Sequence, residues 1–529
     1  MDFDAIITNG RIVDGGGTEP FRADVGIYNR TITAIGDLSA ANAARVYDAV
    51  GRIVTPGFID AHRHADTAIF REGFGTAELQ QGLTTVINGN CGLSAAPVFG
   101  AHAKDVETYL YPITGALDRV PVGSLAEYLQ AQKRQPMPLH AGMLVGLGTV
   151  RAAVAGFQKT LADGDFAAIH ALLERSLSEG ALGVSLGLGY APECFFDTAG
   201  LISALEPISG TDIPLSIHMR SESMNLLDSI DEAIAIAKNL RVPLQISHLK
   251  AVGKKRWGTL IYEALEKIRR AREDGLDVMC DAYPYTAGST QLLHVLPPEF
   301  LEGGTDAIAK RLVDPDAQKR LKARLKTGTD FDNYAVLIGW DNIEISSVRS
   351  KADKRFVGKT VAEAAGGEEP WKFAAELLSR NRCAVTMIDR LTSEDDIAAI
   401  YREPFSYVIS DATYPTDGLP HPRVYGTFAR VIERFVRERK TLTLAEAVRK
   451  MTRMPADRYG LKHKGRIAIG ADADILIFDP DRVAERATFK DPAQNSEGIE
   501  TVLVNGTAAV ENGRRTKEAS GTVLERRML

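Results

Sequence analysis

The chain has 529 residues, 45% of them apolar and 25% charged, with a net charge of −6. Those are globular proportions with room for more than one core, and the acidic balance supplies no basic face for nucleic acid. Met1-Asp-Phe-Asp-Ala5 is no leader, no apolar run approaches ~20 residues, and four scattered cysteines make no disulfide framework, so a cytoplasmic protein without membrane partners is expected.

Residues 1–56 read as strands and turns. Asp4-Ala-Ile-Ile-Thr-Asn-Gly-Arg-Ile-Val13 predicts a hairpin over Asn9-Gly10. The runs 23–28 and 31–35 flank Asn29-Arg30 in the same manner, and 46–50 and 52–54 flank Gly51. Beyond Pro56, short apolar segments alternate with helical periodicity, the pattern of βα units on a parallel sheet. Eight strands are predicted, at 57–64, 84–91, 139–147, 181–188, 214–220, 243–250, 276–283 and 405–411. Leu265, Ile268 and Ala271 set the helical spacing of one intervening stretch, 261–274.

Eight such units predict an α/β fold, a (β/α)8 TIM-like barrel over 57–461. The gap after the seventh strand is too long for one crossover, so an insertion over the barrel mouth is expected at about 286–360. The ending returns to strands. Residues 464–479 read as strand, turn, strand, and 501–510 as a hairpin over Asn505-Gly506. Neither terminal segment has much core of its own, which predicts one small β-sandwich domain made of 1–56 plus 462–529.

Active sites of such barrels lie at the C-terminal ends of the strands. The first strand ends in His62-Arg-His64, whose two imidazoles share a face because strand side chains repeat every two residues. The second ends at Cys91, the fifth at His218, the sixth at His248-Leu-Lys250 and the eighth at Ser410-Asp411. Singly, each has a plainer reading: a hydrogen-bonded histidine pair, an inert buried thiol, a satisfied core histidine. Gathered at one end of one barrel, His62, His64, Cys91, His218, His248 and Asp411 predict a zinc site. Asp411 is the candidate proton shuttle between water and a leaving amine. Asp281 is its competitor, expected to face the barrel wall or a backbone donor. His102, His140, His170, His294 and His463 fall outside this pattern and are expected to be surface or structural, and Cys194, Cys280 and Cys383 to be packing.

Gly57-Phe-Ile-Asp-Ala-His-Arg-His64, Asn88-Gly-Asn-Cys-Gly-Leu-Ser94, Glu179-Gly-Ala-Leu-Gly-Val-Ser185, His218-Met-Arg-Ser-Glu222, Ile246-Ser-His-Leu-Lys250, Asp281-Ala-Tyr-Pro-Tyr-Thr-Ala-Gly-Ser-Thr290 and His421-Pro-Arg-Val-Tyr-Gly-Thr-Phe428 together resemble the amidohydrolase superfamily, in its D-aminoacylase (N-acyl-D-amino-acid deacylase) branch. The resemblance covers nearly the whole chain apart from about 300–400. It implies one tightly held zinc on Cys91, His218 and His248, with His62, His64 and Asp411 framing a second, weaker position. The fourth strand carries no lysine to bridge two metals, and in this branch the cysteine takes that place. Lys250, Tyr283 and Arg423, with Ser289 beside them, match positions that hold the substrate's α-carboxylate; without the resemblance Arg423 and Lys250 would read as ordinary surface charges.

Two stretches depart from the branch. Arg63, Ala65 and Asp66 stand where it has a small residue and two aspartates, and Ile409-Ser-Asp-Ala-Thr-Tyr-Pro-Thr-Asp417 replaces a glycine-rich run. Arg63 and Ala65 are expected to alter the weaker metal position. The implied reaction is hydrolysis of an N-acyl-D-amino acid, a small molecule with a carboxylate, to a carboxylate and a free D-amino acid. Its rivals are another C–N hydrolase of the superfamily, acting on a cyclic amide, a dipeptide or a different N-acyl compound, and a catalytically silent scaffold. The sequence leaves assembly of copies into a homo-oligomer open.

Overall fold

The computed structural model describes residues 2–117, 120–415 and 417–526. Leu83–Asn88, Val184–Gly187 and Leu215–His218 are buried along their whole length, as strands covered on both faces must be. Phe58–Asp60 pairs in parallel with Leu83–Asn88, which pairs with His140–Met143. Val145–Gly146, just beyond, pairs with Val184–Gly187. The parallel order then runs through Leu215–His218, Leu244–Ile246, Val278–Ala282 and Ser406–Val408. It returns to its start where Ala412–Thr413 pairs in parallel with Arg63–His64.

The connecting helices are amphipathic. Leu260–Glu273 buries Leu260, Ile261, Ala264, Leu265, Ile268 and Ala271, one stripe at helical spacing, and packs beside Leu226–Leu240. Ser124 starts Leu125–Lys133 by accepting the Glu127 N–H at 3.1 Å, which satisfies one of the unpaired donors at that helix end.

Between the seventh and eighth parallel strands lies a separate antiparallel sheet, with Val385–Arg390 between Ala287–Gln291 and Ile343–Val348. It reaches past residue 360, where the sequence pattern ended the inserted stretch. Its central strand is the last of the three in the chain, so only a long-range pairing defines it.

The termini intermingle. Ile53–Pro56 pairs with Ile475–Phe478, and side chains from both ends of the chain, Ile7, Ile27, Val54, Ile475 and Leu503 among them, share one apolar cluster. The hairpin over Asn29-Arg30 and that over Asn505-Gly506 are present. The one expected over Asn9-Gly10 is not. Asp2–Thr8 pairs with Asp24–Tyr28 and Asn42–Asp48, whereas Arg11–Ile12 pairs with Phe21–Arg22 and Ile53–Pro56 in another sheet. Asn9, at φ +64°, turns the chain from one sheet to the other, and Gly10 is required because a Cβ there would stand 2.4 Å from Val54. Gly51 likewise separates strands of different sheets. Residues 464–470 hold no strand, and only Ile475–Phe478 forms in that segment. The last described residues leave the terminal unit: Thr522 and Leu524 bond to Ala141 of the third parallel strand.

Asp474 ties these parts together. Its carboxylate meets His140 Nε2 at 3.0 Å and Lys464 Nζ at 2.6 Å and accepts the Asn505 N–H at 2.8 Å. Although burial opposes ionisation, His140 and Lys464 hold the carboxyl well below its ordinary value. A carboxyl depressed by folding stabilises the protein above its unfolded pKa of about 4 and loses that contribution as pH falls toward the folded value. Asp474→Asn is therefore expected to cost about 2 kcal/mol or more at pH 7, read from urea unfolding midpoints. The gap between variant and wild type should narrow below about pH 4. A gap that widened on acidification would contradict this account.

Candidate active site

The metal-type side chains sit at the C-terminal ends of the parallel strands. His218 ends its strand, His64 lies in Arg63–His64, and His62, Cys91, His248 and Asp411 follow just after theirs. All six are buried. Cys91, His248 and Asp411 have φ of +55°, +36° and +54°, a region non-glycine residues seldom occupy and one that collects at functional sites. Gly92 makes the Cys91 turn feasible: at φ +70°, a Cβ there would stand 1.8 Å from Glu193 Oε2.

Cys91 Sγ lies 3.2 Å from His62 Nε2 and 3.5 Å from His248 Nε2. His218 Nδ1 is 2.9 Å from His248 Nε2. The Nε2 atoms of His62 and His64 both stand 3.4 Å from Asp411 Oδ1. The ligand atoms fall into two groups, each within 4.8 Å: His62, His64, Cys91 and Asp411, and Cys91, His218 and His248. Cys91 belongs to both.

This donor set fits a metal ion. Burial holds His62, His218 and His248 well below the ordinary imidazole pKa, which leaves neutral rings with a lone pair to offer. Glu222 Oε1 accepts from His248 Nδ1 at 2.9 Å, which turns His248 Nε2 toward Cys91 as carboxylates do behind metal-binding histidines. Burial, with Asp411 and Glu222 adding to it, pushes the Cys91 thiol well up. A thiolate there needs a cation closer than Lys250, and a divalent metal supplies one. Asp411 is the opposite case: burial opposes its ionisation, but Arg423, His64 and His62 hold it well below the ordinary value.

A pocket opens over this cluster. Lys250, Tyr283 and Ser289 line it beside His64, Cys91, His218, His248 and Asp411. Lys250 Nζ is 2.6 Å from Glu222 Oε1, and Arg423 Nη1 is 2.9 Å from Asp411 Oδ2. Arg423 Nη2 donates to the Ser289 carbonyl at 2.9 Å. Burial raises the Tyr283 phenol, which remains a neutral donor. Asp281 faces the wall, accepting the His248 N–H and the Gln245 side-chain amide, both at 2.6 Å.

Sequence reasoning missed His294, which lines the pocket with its ring 5.9 Å from that of His218. Tyr190, Glu222, Tyr334 and Asp389 were missed as well. Glu222 had a signal, four residues after His218 in the same motif. His294, Tyr334 and Asp389 come from the inserted segment, which has no periodic pattern to point at the pocket.

A profile of the amidohydrolase family matches residues 390–510. The chain is 33% identical to the D-aminoacylase of Alcaligenes xylosoxydans xylosoxydans, covering 99% of this chain and 98% of that one. It is 34% identical to the N-acyl-D-glutamate deacylase of the same organism, covering 96% and 93%. The chain belongs to the D-aminoacylase family of amidohydrolases. Its fold superposes on the crystal structure of the Bordetella bronchiseptica N-acyl-D-glutamate deacylase, complexed with zinc and a phosphonate mimic of the tetrahedral intermediate, with a TM-score of 0.84, 31% identity and coverage of 99% and 100%.

Against the family pattern, Arg63 proves to be a brace. It lies on the strand face opposite His62 and His64 and reaches Asp60 at 2.9 Å, Glu78 at 2.7 Å, Ser410 Oγ at 3.1 Å, Tyr414 Oη at 2.6 Å and the Val424 carbonyl at 3.0 Å. Its guanidinium turns away from the pocket because successive strand side chains alternate, and it meets the surroundings of His62, His64 and Asp411 through Asp60 and Ser410. Arg63→Met would leave Asp60 and Glu78 buried without their cation. A loss of about 3–5 kcal/mol is expected in urea unfolding. A loss below about 1 kcal/mol would show that the brace is not structural.

Proposed function

We propose that this chain is a zinc-dependent hydrolase of N-acyl-D-amino acids, releasing a carboxylate and a free D-amino acid. The convergence of six metal-type side chains beside Lys250 and Arg423 carries the reading, and the full-length likeness to D-aminoacylase supports it. On this reading the parallel array is a closed (β/α)8 barrel over 57–461, and the two terminal sheets form a small sandwich from 1–56 and 462–529. Four free cysteines suit a reducing cytoplasm.

Cys91, His218 and His248 would hold the tighter zinc, with His62, His64 and Asp411 completing a weaker position through the shared thiolate. Bound zinc supplies Lewis acidity toward an acyl carbonyl and lowers the pKa of water to about 7. Lys250, Arg423, Tyr283 and Ser289 grip the α-carboxylate by charge-assisted and neutral hydrogen bonds, which fixes the amide over the cluster. Asp411, kept ionised by Arg423, takes the proton from the attacking water and passes it to the leaving amine nitrogen.

The test is a panel of N-acetyl-D- and N-acetyl-L-amino acids beside hydantoins and dihydroorotate; activity confined to the cyclic compounds would sink the proposal. Asp411→Asn should lower kcat by about 10²–10⁴-fold while zinc, measured by elemental analysis, is largely retained. In the same measurement Cys91→Ala should retain less zinc than His62→Ala, because only the cysteine serves both groups. The reverse ranking would overturn the metal assignment.

A further inference from the structure

Asp389 has no place in the chemistry described so far. It is 1% exposed, its Oδ1 has no hydrogen-bond partner among the described residues, and it lines the pocket over the metal-type cluster. It stands in the central strand of the inserted sheet, directly across from Gly288 and next to the pair formed by Ser289 and Ile388. A Cβ at Gly288 would stand 3.1 Å from its Oδ1 and 3.0 Å from the Tyr283 hydroxyl, so glycine leaves the carboxylate room beside the carboxylate-binding group. A buried carboxylate without a partner is costly, and one retained in a pocket wall points to a partner that arrives with the substrate.

The charges nearby say of what sign. Lys250 is matched by Glu222 and Arg423 by Asp411, which leaves Asp389 as the unmatched acid. The pocket lining also includes the apolar side chains Leu93, Ile113 and Leu391 and the rings of Tyr190 and Tyr334, with His294 between those two rings. Apolar walls with one buried acid suit an aliphatic stem that ends in a cation. Resting on the deacylase reading, we propose that Asp389 selects the substrate's side chain: the pocket takes N-acyl-D-amino acids with a basic side chain, of the D-lysine or D-arginine kind, and disfavours acidic ones. Burial pushes the Asp389 carboxyl up to about 7 even against the pull of Lys250 and Arg423, and a docked ammonium or guanidinium would favour its ionised form. The relatives named for D-glutamate and D-aspartate act on side chains of the opposite sign.

The zinc-loaded enzyme is assayed on two pairs that differ in side-chain charge: N-acetyl-D-lysine against N-acetyl-D-norleucine, and N-acetyl-D-glutamine against N-acetyl-D-glutamate. The expected kcat/KM ratio is about tenfold or more in favour of the first member of each pair, the scale of one charge-assisted bond in a buried site. Asp389→Asn, which keeps shape and removes charge, should collapse both ratios toward unity. A wild-type enzyme that prefers norleucine to lysine, or ratios that survive in the variant, would overturn the assignment of Asp389. If none of the four is hydrolysed, nor any other N-acyl-D-amino acid of the panel, the deacylase reading itself fails and this inference with it.

Discussion

The active-site end of this protein depends on how residues 410–413 are fastened to residues 60–64. The Asp411 N–H donates to the His62 carbonyl at 2.9 Å, and the Ser410 N–H and hydroxyl both donate to Asp60. Ala412–Thr413 then pairs with Arg63–His64. These contacts join the first and last strands of the parallel array, and they set the carboxylate of Asp411 within 3.4 Å of two imidazoles. Asp411 is held at positive φ, a conformation that costs roughly 1–3 kcal/mol and persists only where its surroundings overdetermine it. Asp60, Ser410 and Arg63 provide that surplus of constraint. The departures from the family pattern at 63 and 410 are thus two ends of one buried network.

Charge is distributed so that Lys250, in the pocket wall, and the fully buried Arg423 each have an acid but spare donors. Lys250 uses one direction on Glu222, and Glu222 also fixes the His248 ring. Arg423 faces Asp411 while its Nε has no partner. Such half-satisfied cations can take a carboxylate without first breaking an ion pair, which keeps the desolvation cost of binding low. The same pairing favours the ionised form of Asp411.

The parts of the site on parallel strands were legible in the sequence because a strand's end is fixed by its own apolar run. His62, His64, Cys91, His218, His248 and Asp411 each close such a run, and they meet because parallel neighbours present their ends together. What could not be read came from non-local pairing. Asn9-Gly10 looks like a hairpin turn, yet the two strands it joins find partners elsewhere, so local turn chemistry lost to the packing of two sheets. His294, Tyr334 and Asp389 reach the pocket only through the inserted segment and its sheet, where Ala287–Gln291 meets Val385–Arg390. The alternation of Arg63 away from its flanking histidines was implicit in the two-residue period, but its partners Glu78 and Ser410 were not.

Cys91 concentrates the constraint further. Its turn needs glycine on its C-terminal side, because Glu193 occupies the space a side chain would take and uses that space to accept the Gly187 N–H at 2.9 Å. Ser185, in the fourth parallel strand, bonds both the Gly92 N–H and the Gly89 carbonyl. The fourth strand therefore supplies no ligand of its own. It shapes the loop that brings the thiol between His62 and His248. The packing is reciprocal, because the Cys91 carbonyl would stand 2.1 Å from a Cβ placed at Gly187, so each of the two segments needs glycine where the other passes.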